Sequence, residues 1–151
     1  MEPLRLYLFG FPRMEREGQL VSVDTRKATA LLSYLAIHGE PVSRDALSNL
    51  LWPDYDQSGA RAALRRTLSV LNKAVGEGVL AIERERIGLN KNGAFWLDVL
   101  QFESLHQQAE QQRLGRDARY LDTLGTSISV YKDRYMAGLT LRGAVEFDNW
   151  Q

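Results

Sequence analysis

Between Ser58 and Val75 the chain carries Arg61, Arg65, Arg66 and Lys73 and no acidic residue, while Ala60, Leu64, Leu68, Leu71 and Val75 recur at spacings of 4, 4, 3 and 4. That rhythm places five apolar side chains on one face of a helix and leaves the cations, with Ser69 and Asn72, on the remainder. Such a helix must bury its leucines against a partner, and its guanidinium groups must meet either water or an anion. Both readings of the outer face stand at this point: a solvated basic surface, or a surface for a polyanion. Charge distribution bears on the choice. The 151 residues hold 19 basic and 19 acidic side chains, yet residues 58–97 alone are net +4, while the segments before and after are each net −2. With 44% hydrophobic and 25% charged residues, the composition fits globular material of one domain or two small ones.

Much chemistry is excluded. The chain has no cysteine, hence no disulfide frame, zinc ribbon or thiol nucleophile, and His38 and His106 are far apart in sequence. It lacks GxxxxGK[ST], GxGxxG after a strand, HExxH and GxSxG, so no nucleotide loop, metal pair or nucleophile elbow is visible, and the expectation is a protein that is not an enzyme and carries no cofactor or metal. His38, just before Gly39, reads as a helix C-terminal residue and His106 as an exposed one. Asp54 and Asp56 read as loop and capping groups. No run is long and apolar enough for a bilayer, and Met1-Glu2-Pro3-Leu4-Arg5 lacks a signal-peptide layout. The expected location is the cytoplasm, with no membrane partner.

Along the chain, Leu4 to Phe9 alternates as a strand before Gly10 and Pro12, Arg16-Glu17-Gly18-Gln19 suits a turn, and Leu20 to Val23 a returning strand, so a small antiparallel sheet opens the fold. Asp24 or Thr25 caps a first helix with Ala28, Leu31, Leu32 and Leu35 inside and Gly39 as its stop. Ser43 caps a second, Val42 stapling onto Leu47, and Pro53 ends it near Leu51-Trp52. Asp56 or Ser58 caps the basic helix, which Gly76 and Gly78 close. Val79 to Glu83 and Ile87 to Asn90 form a hairpin around Glu83-Arg84-Glu85-Arg86, and Lys91-Asn92-Gly93 leads to a further strand, Ala94-Phe95-Trp96-Leu97. Beyond Asp98, Phe102, Leu105 and Ala109 form one helical stripe and Tyr120, Leu121, Leu124, Ile128 and Tyr131 another, a helical hairpin divided at Leu114-Gly115-Arg116. Ala144 to Gln151 reads as the opening of a further helix, as in a piece of a longer chain. Trp52, Trp96 and Trp150 suit packing anchors, Trp150 alternatively a partner surface.

Three helices, the last basic on its outer face, followed by a hairpin form the layout of a winged helix. A helix fits the major groove, where arginine bonds guanine and asparagine bonds adenine, and hairpin arginines suit the negative minor groove. The expected DNA-binding set is Arg61, Arg65, Arg66, Ser69, Asn72 and Lys73 on the helix, Arg65 and Arg66 foremost, with Arg84 and Arg86 on the wing, where Glu83 and Glu85 cancel local charge. A winged helix used only for protein contact or dimerisation is the alternative.

Three stretches carry a family resemblance: Leu4-Arg5-Leu6-Tyr7-Leu8-Phe9-Gly10, Arg26 to Leu35, and Val42-Ser43-Arg44-Asp45-Ala46-Leu47 with Leu51-Trp52-Pro53. Together they resemble the OmpR/PhoB-type winged-helix domain of SARP-like bacterial regulators, and Ala60 to Leu71 is similar to their recognition helix. Asp98-Val99, Phe102-Glu103, Tyr131-Lys132, Tyr135 to Leu139 and Glu146 to Trp150 resemble the start of the bacterial transcriptional activation domain, a tetratricopeptide-like helical module. The resemblance implies an α+β fold, with a winged-helix domain over 1–97 and a partial activation module over 98–151. It also implies a transcription factor on promoter repeats of double-stranded DNA, as a tandem or homo-oligomeric unit. RNA polymerase is an implied partner, and the connector with Trp52, Asp54 and Tyr55 an implied contact. In place of the glycine–tyrosine wing of close relatives stands Arg86-Ile87-Gly88-Leu89-Asn90.

Overall fold

The structure, a computed structural model, describes residues 3–23, 25–90, 95–131, 136–141 and 143–150. Met1, Glu2, the alternative cap Asp24, the turn Lys91-Asn92-Gly93 with Ala94, and Lys132, Tyr135 and Gln151 lie outside the described residues.

Strand β1 (Leu4–Tyr7) turns Leu4 and Leu6 inward. It pairs antiparallel with β2 (Arg13–Arg16), Leu6 opposite Met14, and β2 pairs in turn with β3 (Gln19–Val21). The turn between them is Glu17-Gly18, both at positive φ (53° and 77°), the twist that a two-residue hairpin needs. Strand β2 is the element the sequence reading lacked: Arg13-Met14-Glu15-Arg16 has only Met14 to send inside, so its pattern alone resembles a loop.

The three helices form where their caps stand. Thr25 Oγ1 accepts from Ala28 N at 3.1 Å and starts α1 (Arg26–His38), which Gly39 ends in the left-handed conformation. Ser43 Oγ accepts from Ala46 N at 3.1 Å and starts α2 (Arg44–Leu51). Of the two candidates at the next cap it is Asp56 that acts, its Oδ1 accepting from Gly59 N at 2.7 Å to start α3 (Gln57–Val75). Immediately before α2, β4 (Val42–Ser43) pairs with β6 (Arg86–Leu89), itself the second strand of a hairpin with β5 (Leu80–Ile82).

Strand β7 (Phe95–Leu97) returns to the first sheet and lies parallel to β1, giving the order β3-β2-β1-β7, three antiparallel strands with a parallel edge. Asp98 then opens α4 (Asp98–Leu114) with a buried carboxylate that accepts from Leu8 N at 2.9 Å, Phe9 N at 3.0 Å and Val99 N at 2.8 Å. Three backbone donors satisfied at once are what makes a buried carboxylate tolerable. Helix α5 (Tyr120–Val130) packs beside α4, and α6 (Val145–Trp150) sends Phe147 into the core and Trp150 against Tyr34, ring centroids 4.8 Å apart.

One apolar cluster runs from β1 through α1, α2 and α3 to Val99, Met136, Leu139 and Phe147. All five predicted inward residues of α3 are in it, joined by Ala63. The expected stripe of α5 is a correction. Leu121 and Ile128 are 69% and 62% exposed, Tyr131 is exposed too, and the residue α5 buries is Ser127. Helical period states that a face exists; it does not state what covers it.

Candidate nucleic-acid interface

Helix α3 is held at both ends. Its N-terminus has the Asp56 cap; at its C-terminus Arg16, reaching across from β2, donates from Nη2 to Val75 O at 2.6 Å, beside Gly76 at φ 86°. A Cβ on Gly76 would stand 3.1 Å from Arg16 Nη1. The outer face of α3 is thereby presented on a fixed rod.

At about 100° per residue, Arg61, Asn72, Arg65, Ser69, Lys73 and Arg66 follow one another around an arc of about 140° that begins where the leucine arc ends. Arg61, Arg65, Arg66, Ser69 and Lys73 are exposed and Asn72 is half-buried. Two hollows flank this arc. On one side Arg61, Arg65 and Arg84 border a cleft of about 550 Å³ between α3, the start of α2 and the β5–β6 tip. On the other, Arg66 joins Lys27, Trp52, Tyr55 and Val70 around a hollow of about 270 Å³. The expected set is therefore divided: Arg61, Arg65 and Arg84 share the wing side, whereas Arg66 faces the α2–α3 connector. Arg86 is exposed on β6, at the register position opposite Ser43.

The wing tip is clasped to α2. Arg44 donates from Nε and Nη2 to Glu83 O at 3.2 and 2.9 Å, and its own N–H donates to Glu85 O at 2.9 Å. This sets Arg84 over the cleft. Among the described residues Arg65, Arg66, Lys73, Arg84 and Arg86 make no ion pair, while Arg61 pairs with Asp45, Nη2 to Oδ1 2.6 Å. The carboxylate that α3 lacks in its own sequence thus arrives from α2, sixteen positions earlier. No sequence signal links those two residues, and none announces Arg16 or Arg44.

In the connector, Trp52 is only 6% exposed, with the Lys27 ammonium 5.1 Å above its ring. Trp52 is thus a core anchor, and Asp54 and Tyr55 are the residues of that trio facing outward. Lys27 donates to Leu51 O, closing the end of α2; burial pulls its ammonium below the usual lysine range, and the negative Asp54 opposes that pull. His38 stacks on Tyr34 and His106 on Phe102, which gives both a packing role. Among the described residues no group of three histidine or acidic side chains is set to hold a metal, and no helix is long and apolar enough to cross a membrane.

Fold and basic face together define a winged-helix domain followed by a helical part. A solved structure of Mycobacterium tuberculosis EmbR in complex with a low affinity phosphopeptide matches this architecture with a TM-score of 0.83, at 24% identity, over 99% of this chain and 41% of that one. The regulatory protein AfsR of Streptomyces coelicolor is 27% identical over 138 residues, 90% of this chain. The transcriptional regulatory protein EmbR of M. tuberculosis and M. bovis is 39% identical over 70 residues, 46% of this chain. No family model matches the chain. The chain is thus similar in sequence to proteins named as regulatory and transcriptional regulatory proteins. It spans 14% of AfsR and 18% of EmbR.

Proposed function

We propose that this chain is the DNA-reading part of a bacterial transcriptional regulator, with α3 in the major groove and the β5–β6 hairpin beside the minor groove. The observation that carries this reading is the arc of cations on α3, opposite a sealed leucine face and with no acidic residue of its own. Arg65, Arg66 and Lys73 hold phosphates or bases, Asn72 and Ser69 supply directional hydrogen bonds, and Arg84 and Arg86 serve the wing. In this reading residues 1–97 are the DNA-binding domain, 98–151 begin an activation module, and the protein works in the cytoplasm on promoter repeats as a homo-oligomer or tandem unit. It has no catalytic activity.

Neutralising about four to six phosphates per subunit gives a log K against log salt slope of about −4 to −5. Titration of labelled duplex at several salt concentrations measures it; no binding at low salt, or a flat response, overturns the proposal.

A second reading, protein contact through the connector, is favoured by Tyr55 and Val70, both exposed at the rim of the hollow that Arg66 shares. In this reading the domain is a scaffold or dimerisation piece that does not bind DNA, whereas RNA polymerase is a partner that belongs to the DNA reading. The protein-contact reading expects Tyr55→Ala to abolish transcriptional output while Arg65→Glu leaves it intact; the DNA reading expects the reverse for Arg65→Glu.

A further inference from the structure

The guanidinium groups of α3 are not equivalent, and their difference separates the reading of bases from the holding of phosphates. Arg61 donates from Nε at 2.9 Å and from Nη2 at 2.6 Å, both to the same oxygen, Oδ1 of Asp45. Of the five N–H groups of a guanidinium, those two lie along its side edge. The end edge, formed by Nη1 and the second hydrogen of Nη2, is left for another acceptor. That edge presents two parallel donors, the pattern that matches O6 and N7 of guanine in the major groove.

Charge separates Arg61 from its neighbours as well. With a carboxylate against it, its attraction for a phosphate is largely compensated, whereas Arg65 makes no ion pair among the described residues and keeps its full charge. What remains to a compensated guanidinium is direction. Asp45 is itself fixed: it is the second residue of α2, whose start is capped by Ser43 and clasped through Arg44 to the hairpin backbone. The pair with Asp45 therefore biases Arg61 toward one orientation before any ligand arrives, which favours discrimination by a long side chain. It also stands in the second turn of α3, and recognition helices bring their N-terminal residues to base edges.

On the reading that α3 enters the major groove, we propose that Arg61 is its guanine-reading residue and that Asp45 is the positioning residue that aims it, while Arg65 holds phosphate. The proposal has an internal control. Because both donors meet one oxygen, asparagine at position 45 retains the acceptor and loses only the charge, whereas alanine loses both.

The test uses the full chain, the duplex enriched from a random pool, and every single-base variant of that duplex, with binding measured at several salt concentrations. Arg61→Ala is expected to erase discrimination at one G·C pair, about tenfold or more in relative affinity. Arg65→Ala is expected to weaken all sequences alike and to flatten the slope by about one. Asp45→Ala is expected to lose the discrimination that Arg61→Ala loses, and to steepen the slope by up to about one as a compensated cation is released. Asp45→Asn is expected to steepen the slope in the same way while retaining most of the discrimination. Thermal melting confirms that each variant is folded. If the wild type enriches no duplex and binds none at low salt, the DNA reading fails and this inference with it. If the wild type binds and Arg65→Ala behaves as stated, but Arg61→Ala leaves every base preference in place, or Asp45→Asn and Asp45→Ala lose discrimination equally, this inference alone is overturned.

Discussion

In the α4–α5 hairpin, Arg113 pairs with Glu110 and Arg119 with Asp117, each within three residues along the chain. On α3, Arg65, Arg66 and Lys73 have no such neighbour, and Arg61 meets its carboxylate only because α2 brings one across. Apolar faces show the opposite contrast. Helix α3 seals six residues in the core, while α5 buries Ser127 and leaves Leu121 and Ile128 in solvent. The first helix is thus finished on its inner side and open in charge outside; in the hairpin Arg113 and Arg119 meet carboxylates close by in sequence while apolar surface stays open. Surface charge that neutralises itself locally adds little stability and asks for no ligand. Charge without a local counter-ion, displayed on a fixed scaffold, is what an external polyanion can use.

The widest gap between the two regions should appear in stability. Leu71→Ala is expected to cost about 3 kcal/mol, because Leu71 is wholly buried in α3. Leu121→Ala on α5 should fall within about 0.5 kcal/mol of wild type. Urea denaturation of both variants decides it, and equal losses would erase the contrast. Binding should divide the same way: Arg65→Glu with Arg66→Glu is expected to weaken duplex binding about 100-fold or more at low salt, whereas Arg113→Glu changes it less than about twofold. Fluorescence anisotropy with one duplex reads both. A smaller effect is due at the Asp56 cap, where Asp56→Ala removes the acceptor for Gly59 N. It should cost about 1 kcal/mol, or roughly 2–4 °C in melting temperature.

The smallest effect sharpens the account of the hairpin. Side-chain and backbone hydrogen bonds from Arg119 hold the Asp117 carboxyl at about 2, below its ordinary 3.8. A depressed carboxyl stabilises the fold above its unfolded value and loses that contribution as pH falls toward the folded one. The melting temperature of Asp117→Asn should therefore lie slightly below wild type above pH 4 and converge with it by about pH 2. Parallel curves over that range would show that the pair contributes nothing.

What the sequence made legible follows from where the information is local. Thr25, Ser43 and Asp56 sit within three residues of the N–H groups they cap, and Gly39 and Gly76 end helices by their own conformation, so α1 to α3 could be bounded in advance. Strand β2 escaped because a short segment with a single inward residue is defined by its two partner strands: only Met14 betrays it. Around the site, the identity of the cations was plain and their states were not. Nothing in the sequence distinguishes Arg61 from Arg65, since the difference is a carboxylate on another helix. Trp52 was legible as an anchor from its size, with which its burial agrees, while its role as a contact was carried by resemblance alone.

The carboxylate of Asp98, tied to the amides of Leu8 and Phe9, has a consequence for biosynthesis. Strand β1 is synthesised before the helices that follow it, yet its last edge and its clasp are supplied about ninety residues later. During translation the first sheet waits, unfinished, while the helices behind it are made. The amino-terminal layer is therefore complete only once the start of the trailing helix is in place.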